Sequence, residues 1–137
     1  MNKNKIDIIS IPKICRYCGS PVVYTSNAEI YGREYGNGKC YLCRNCKAYV
    51  GVHTGTQIPL GTLANKELRD IRHKAHNEFD QLWKSNKMTR YNAYKWLANE
   101  MNLEIKKTHI GWFEKGQCLK VIELVKNKLG EIEWKKK

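Results

Sequence analysis

Four of the chain's six cysteines fall into two phrases of one form. Cys15-Arg16-Tyr17-Cys18 is followed, after three residues, by Val22; Cys43-Arg44-Asn45-Cys46 is followed, after three residues, by Val50. The C-x-x-C spacing lets two thiolates reach one metal ion. The 24 residues between Cys18 and Cys43 leave room for a small hairpin. Zinc takes four soft ligands, with sulfur at about 2.3 Å, and four cysteines close that shell. A catalytic zinc would keep a position open, so Cys15, Cys18, Cys43 and Cys46 predict one structural Zn2+. Such an ion would supply folding free energy on the order of 10 kcal/mol to a module that buries little. An iron–sulfur centre is the alternative for an all-cysteine set; polar, strand-rich surroundings favour zinc. Cys40-x-x-Cys43 is also a C-x-x-C pair. The internal repeat and the strand-like Tyr49–Val52 after it favour Cys43 with Cys46, leaving Cys40 as a free or buried thiol. His53 lies beyond the second knuckle and adds nothing to a complete shell.

A second constellation is Arg69, Arg72, His73, His76 and Asp80, which share one stripe of a predicted helix at about 100° per residue. His73, His76 and Asp80 stand at i, i+3 and i+7, which suits a second metal site and a metal-dependent enzyme. Arg69 and Arg72 bring opposing positive charge to the same place. A phosphate-gripping face is another reading. The third is a structural interface, with Asp80 paired to an arginine or histidine. Tyr17, Tyr24, Tyr31, Tyr35, Tyr41 and Tyr49 interleave with Arg16, Arg33, Lys39, Arg44 and Lys47, a mixture suited to stacking single-stranded bases. Packing of the small ribbon is expected to occupy about half of these rings. No phosphate-cradling glycine loop, activated nucleophile or paired carboxylates are evident, so the expectation is a protein that is not an enzyme.

These residues need elements to hold them. The 137 residues carry a formal charge of +12, with 42% hydrophobic and 28% charged residues, a globular composition that attracts polyanions. No run is long enough to span a membrane, and the apolar stretch near the N-terminus is too interrupted for a signal peptide, which predicts a cytoplasmic protein with reduced thiols. The expected order is a leader over 1–13, with Ile6, Ile8 and Ile9 either as a short edge strand, which Pro12 limits, or packed on the metal module. A zinc ribbon comes next over 14–53, then a connector over 54–61, a helical domain over 62–130 and a loose basic tail over 131–137. Strands are expected at 22–25, around 29–31, at 39–42 and at 48–53. A helix capped by Thr62 or Asn65 runs to Lys84 with Leu68, Ile71, Ala75, Phe79 and Leu82 inward, and Asn86 and Lys87 end it. Thr89 caps a second helix ending at Asn102, and Thr108 caps a short segment. A last helix buries Cys118, Val121, Ile122, Val125 and Leu129 before stopping at Gly130. The fold class is therefore α+β: a four-cysteine zinc ribbon of short antiparallel strands followed by a bundle of about three to four helices.

The combined pattern resembles a family from bacteria and their phages. It comprises Cys15-x-x-Cys18-Gly19, Cys43-x-x-Cys46-x-Ala48-Tyr49-Val50-Gly51-Val52-His53, Pro59–Ala64, and Leu68-Arg69-x-x-Arg72-x-x-Ala75-His76-x-x-Phe79-Asp80-x-Leu82-Trp83. Arg90-x-x-Ala93-Tyr94-x-Trp96-Leu97-Ala98 and His109-Ile110-Gly111-x-Phe113 are similar to its C-terminal part. That family is known as a zinc-finger-containing domain of unknown function. The resemblance implies four-cysteine zinc binding, a phage or prophage setting in the host cytoplasm, and membership of Arg69, Arg72, His76 and Asp80 in the family pattern. Cys40 and His73 stand outside that pattern. The expected function is nucleic-acid binding, to DNA or RNA, with Arg16, Arg44, Lys47, Arg69, Arg72, His73, His76 and Asp80 as candidate contacts. The alternative is an inhibitor or adaptor that binds a host defence protein. Oligomeric state is not legible.

Overall fold

The computed structural model describes residues 7–85 and 87–135. The chain divides into two compact units, Met1–Glu67 and Leu68–Lys137.

The first unit is built on a three-stranded antiparallel sheet in sequence order: β1 (Val23–Ser26), β2 (Lys39–Leu42) and β3 (Tyr49–Gly51). The central strand β2 pairs Tyr41 with Tyr24 on one side and Val50 on the other, and Cys40 with Thr25 and Gly51. Pairing on both edges buries Cys40, Tyr41 and Leu42. Residues 54–61 have no helix or strand of their own but lie along β3: Leu60 N–H donates to Gly51 O at 2.9 Å and Val52 bridges Pro59. The Tyr41 hydroxyl closes that loop by donating to Gln57 O at 2.5 Å.

The strand expected around 29–31 is instead a single helical turn, α1 (Ala28–Tyr31). Local capping outweighs the β propensity of Ile30 and Tyr31. Ser26 Oγ accepts from Ala28 N–H at 3.1 Å, Glu29 sits in the first turn, and Gly32, at φ 83°, ends it by donating to Ala28 O. The buried Asn27 clamps the loop beyond α1, donating from Nδ2 to Tyr35 O at 2.6 Å and accepting from Tyr35 N–H at 2.9 Å. Residues 7–13 form no strand, and Ile8 and Ile11 are exposed. Ile6 lies outside the described residues.

Helix α2 (Lys66–Lys84) leads into the second unit, with α3 (Arg90–Met101), two 3-10 turns (Ile105–Lys107 and Ile110–Trp112) and α4 (Lys115–Lys135). The periodic face of α2 is the buried one: Leu68, Ala75, Phe79 and Leu82 are buried and Ile71 packs at their edge. Phe79, Leu82, Leu97, Phe113, Val121 and Val125 are fully buried; each contributes about 1.5–3 kcal/mol. Thr89 caps α3 by accepting from Asn92 N–H at 3.0 Å, and Asn102, at φ 56°, terminates it. Asn86, expected to help end α2, lies outside the described residues.

Two expected boundaries differ. Thr108 is not a cap: its hydroxyl donates to Glu104 O at 2.8 Å and closes the turn behind it. Nor does Gly130 stop α4, which continues to Lys135. A glycine inside a helix costs only about 1 kcal/mol, and Ile132 extends the apolar face of Val125 and Leu129 beyond it. Lys136 and Lys137 of the expected tail lie outside the described residues. Among the described residues no helix is long and apolar enough to cross a membrane.

Candidate metal centre and the surface around it

The two C-x-x-C phrases fold into the same knuckle twice. Cys15 N–H donates to Ser20 O at 2.8 Å and Gly19 N–H to Cys15 O at 2.9 Å. In the second, Cys43 N–H donates to Ala48 O at 2.9 Å and Lys47 N–H to Cys43 O at 2.8 Å. Each loop folds back on its first cysteine, so both sulfurs of a pair face one point. The position after the second cysteine takes a left-handed backbone in both: Gly19 has φ 78° and Lys47 has φ 70°. Glycine adopts this conformation freely; lysine does so at a cost of about 1–2 kcal/mol.

The Sγ atoms of Cys15, Cys18, Cys43 and Cys46 all lie within 4.8 Å of one another. Cys15 Sγ is 3.4 Å from Cys46 Sγ and Cys18 Sγ is 3.5 Å from Cys43 Sγ. A disulfide needs about 2.05 Å, whereas four sulfurs at about 2.3 Å from a tetrahedral zinc stand about 3.8 Å apart. Four free thiols at that separation fit zinc, and the chain holds one structural zinc there. Cys15 and Cys43 are buried while Cys18 and Cys46 are exposed, so each knuckle supplies one inner and one outer ligand. Hydrogen bonds from Asn45 and then Ser20 hold the Cys18 thiol down at about 5. At Cys46 the Ala48 backbone N–H works in the same direction, but the neighbouring Cys15 sulfur and burial push the thiol up to about 12. Cys40 stays outside the cluster, buried in β2, where burial raises its thiol.

The helical stripe does not form a second metal site. Among the described residues the four cysteines are the one group of three or more His, Cys, Asp or Glu side chains whose ligand atoms converge. His76 Nδ1 lies 3.0 Å from Asp80 Oδ2, and Trp83 Nε1 donates to Asp80 Oδ1 at 3.1 Å. Asp80 is buried and His73 is exposed, so the three groups expected to share an ion are spent differently. Arg72 is also withdrawn from the surface. It is buried, its Nε donates to Phe113 O at 2.8 Å, and its Nη2 lies 3.6 Å from Glu114. Arg72 and Asp80 therefore make their contacts within the helical unit. Arg69 is half-buried on the same helix.

The other candidates surround the knuckles and are exposed. Arg16 lies over the Tyr17 ring at 5.4 Å. Arg44 grips Glu29 with Nε at 2.9 Å and Nη2 at 3.0 Å. Those bonds, first from Arg44 and then from Thr25, hold the Glu29 carboxyl down at about 2, with Lys47 adding a favourable charge. The C-R-x-C repeat gave no sign of Glu29, because the partner comes from α1. Of the ribbon tyrosines, Tyr17, Tyr24, Tyr31 and Tyr35 are exposed and Tyr41 is buried, so more rings face solvent than packing alone predicts.

Set beside known proteins, residues 11–128 match a family described as a zinc-finger-containing domain. Comparison with curated proteins and with solved structures finds no match.

Proposed function

The chain belongs to that zinc-finger-containing family, and from this we propose that it binds nucleic acid through the basic and aromatic surface that its structural zinc holds in place. The carrying observation is Lys47. The two knuckles are copies in backbone and hydrogen bonding, yet the left-handed position that glycine fills in one is a lysine in the other. A non-glycine residue kept in a costly conformation at the surface points to a use for its side chain. Lys47 stands beside a metal ligand, exposed, with Arg44 three residues earlier and Arg16 on the matching turn of the first knuckle. Basic residues outnumber acidic ones in both units of the chain, which favours a polyanion over an acidic protein patch read by one face alone. A host defence protein remains the rival partner, and a phage or bacterial cytoplasm the setting.

The test is Lys47→Gly in the zinc-loaded chain. Relief of the strained backbone raises stability by about 1 kcal/mol. Loss of one phosphate contact weakens oligonucleotide binding and lowers the slope of log affinity against log salt by about 0.7–0.9. Fluorescence anisotropy over a salt series measures the slope and urea unfolding the stability. Unchanged affinity in the stabilised variant, or no binding by the parent at about 50 mM salt, overturns the proposal.

A further inference from the structure

Tyr31 and Tyr35 stand at the end of α1 and in the turn after it, 51% and 63% exposed. Their ring centroids are 5.8 Å apart. Tyr31 also meets Tyr49 edge-on at 6.3 Å, with the hydroxyls 3.4 Å apart. The three rings form one aromatic patch on the first unit. The Tyr35 backbone is anchored independently of the ring, through its N–H and C=O, both bonded to the Asn27 side chain, while the ring itself stays mostly exposed.

Cations adjoin these residues in sequence or through Glu29. Arg33, between the two tyrosines in sequence, is exposed. Arg44 and Lys47 both act on Glu29, two residues before Tyr31. Arg44 spends Nε and Nη2 on Glu29, which leaves Nη1 for another acceptor. Glu29 and Glu34 are each bonded within the unit, Glu29 to Arg44 and Glu34 to the Ser26 hydroxyl at 2.9 Å. The three cations exceed these two carboxylates, so the group carries net positive charge.

Resting on the nucleic-acid reading above, we infer that this patch binds single-stranded nucleic acid. Unpaired bases stack on Tyr31 and Tyr35, and Arg33, Arg44 and Lys47 hold the adjoining phosphates. A duplex keeps its base faces inside the stack, where an exposed ring cannot meet them. Reading a groove calls for a helix or a two-stranded ribbon of useful length. The strands here run three or four residues and α1 four. The strand's sugar is left open, since stacking and phosphate contacts are common to DNA and RNA.

The experiment uses the full zinc-loaded chain with fluorescein-labelled oligothymidine, oligouridine and a DNA duplex, all of one length and compared over the same salt series. The parent binds a single strand at least about tenfold more tightly than the duplex, and Tyr35→Ala weakens single-strand binding about tenfold with the salt slope unchanged. Tyr35→Phe, which keeps the ring, binds like the parent, as does Tyr91→Ala on α3, an exposed tyrosine of the other unit. A preference for either sugar supports the inference and names the strand. Binding of the duplex as tightly as the single strands, or full binding by Tyr35→Ala, overturns it and leaves the nucleic-acid reading standing. Failure of every oligonucleotide to bind overturns both.

Discussion

Removing the metal is expected to unfold the first unit, and the chain carries its own reporters for the event. All four tryptophans, Trp83, Trp96, Trp112 and Trp134, lie after the division at residue 67, whereas six of the eight tyrosines lie before it. Around the metal, the buried apolar cluster consists of Cys15, Cys43, Ala48 and Leu63, with Val22 and Val50 partly buried against it. Two of its four buried members are themselves ligands. Without the ion, that cluster keeps one alanine and one leucine, and burying a leucine is worth only about 1.5–3 kcal/mol. Zinc binding to such sites supplies about 10–16 kcal/mol, as much as the whole stability of an ordinary domain, about 5–15 kcal/mol. Titration with a strong chelator should release one zinc per chain and collapse the near-ultraviolet tyrosine signal and the amide dispersion of residues 7–67. The buried core of the helical unit contains no ligand, so tryptophan emission and most of the far-ultraviolet helix signal should remain. Cys43→Ser should purify without metal, and Cys40→Ala should keep one zinc. Dispersed amides that persist in a demonstrably zinc-free chain, or loss of the metal in Cys40→Ala, would refute the reasoning.

Other expectations rest on single contacts. Arg72→Ala should lower the unfolding free energy of the helical unit by about 2–3 kcal/mol in urea, because it removes a buried charge-assisted bond to Phe113 O. Thr89→Ala should cost about 1 kcal/mol through loss of the cap on Asn92 N–H. His76→Ala should leave the zinc content at one per chain, measured by elemental analysis, since its ring is bonded to Asp80 and not to an ion. The Glu29 carboxyl titrates at about 2 in the folded chain against an ordinary value of 4.5. Because the folded value is depressed, the Arg44 contact stabilises fully above 4.5 and is lost as pH falls towards 2. Carbon-detected NMR titration should show Glu29 rising back towards 4.5 in Arg44→Ala.

The metal site could be read from the sequence because its information is local. Two thiolates in each C-x-x-C phrase and a repeated downstream valine locate all four sulfurs and set Cys40 aside. The long helices were legible for a related reason: Leu68, Ala75, Phe79 and Leu82 repeat over several turns, and Thr89 and Asn102 mark both ends of α3. Short elements were not. Residues 28–31 carry strand-favouring Ile30 and Tyr31, and only the hydrogen bonds of Ser26 and Gly32 decide for a helical turn. Gly130 resembled a stop because its cost is visible in the sequence and the compensating burial of Ile132 is not. The stripe on α2 misled in another way. A helical angle places Arg72 and Asp80 on a common face but does not reveal that Phe113 O and Trp83 Nε1 already claim them.

The alternation of inner and outer sulfurs also governs how the ion arrives and leaves. Cys18 and Cys46 face solvent, one from each knuckle, while Cys15 and Cys43 lie within the core. An incoming ion therefore meets the outer sulfurs of Cys18 and Cys46 first, and the inner pair completes the shell afterwards. Departure reverses that order. A soft competitor such as cadmium, or the thiolate of a metal carrier, can attack at the outer sulfurs while the inner two keep hold. Metal exchange can then proceed by handover rather than by unfolding, at a rate set by the concentration of the acceptor and not by the stability of the ribbon.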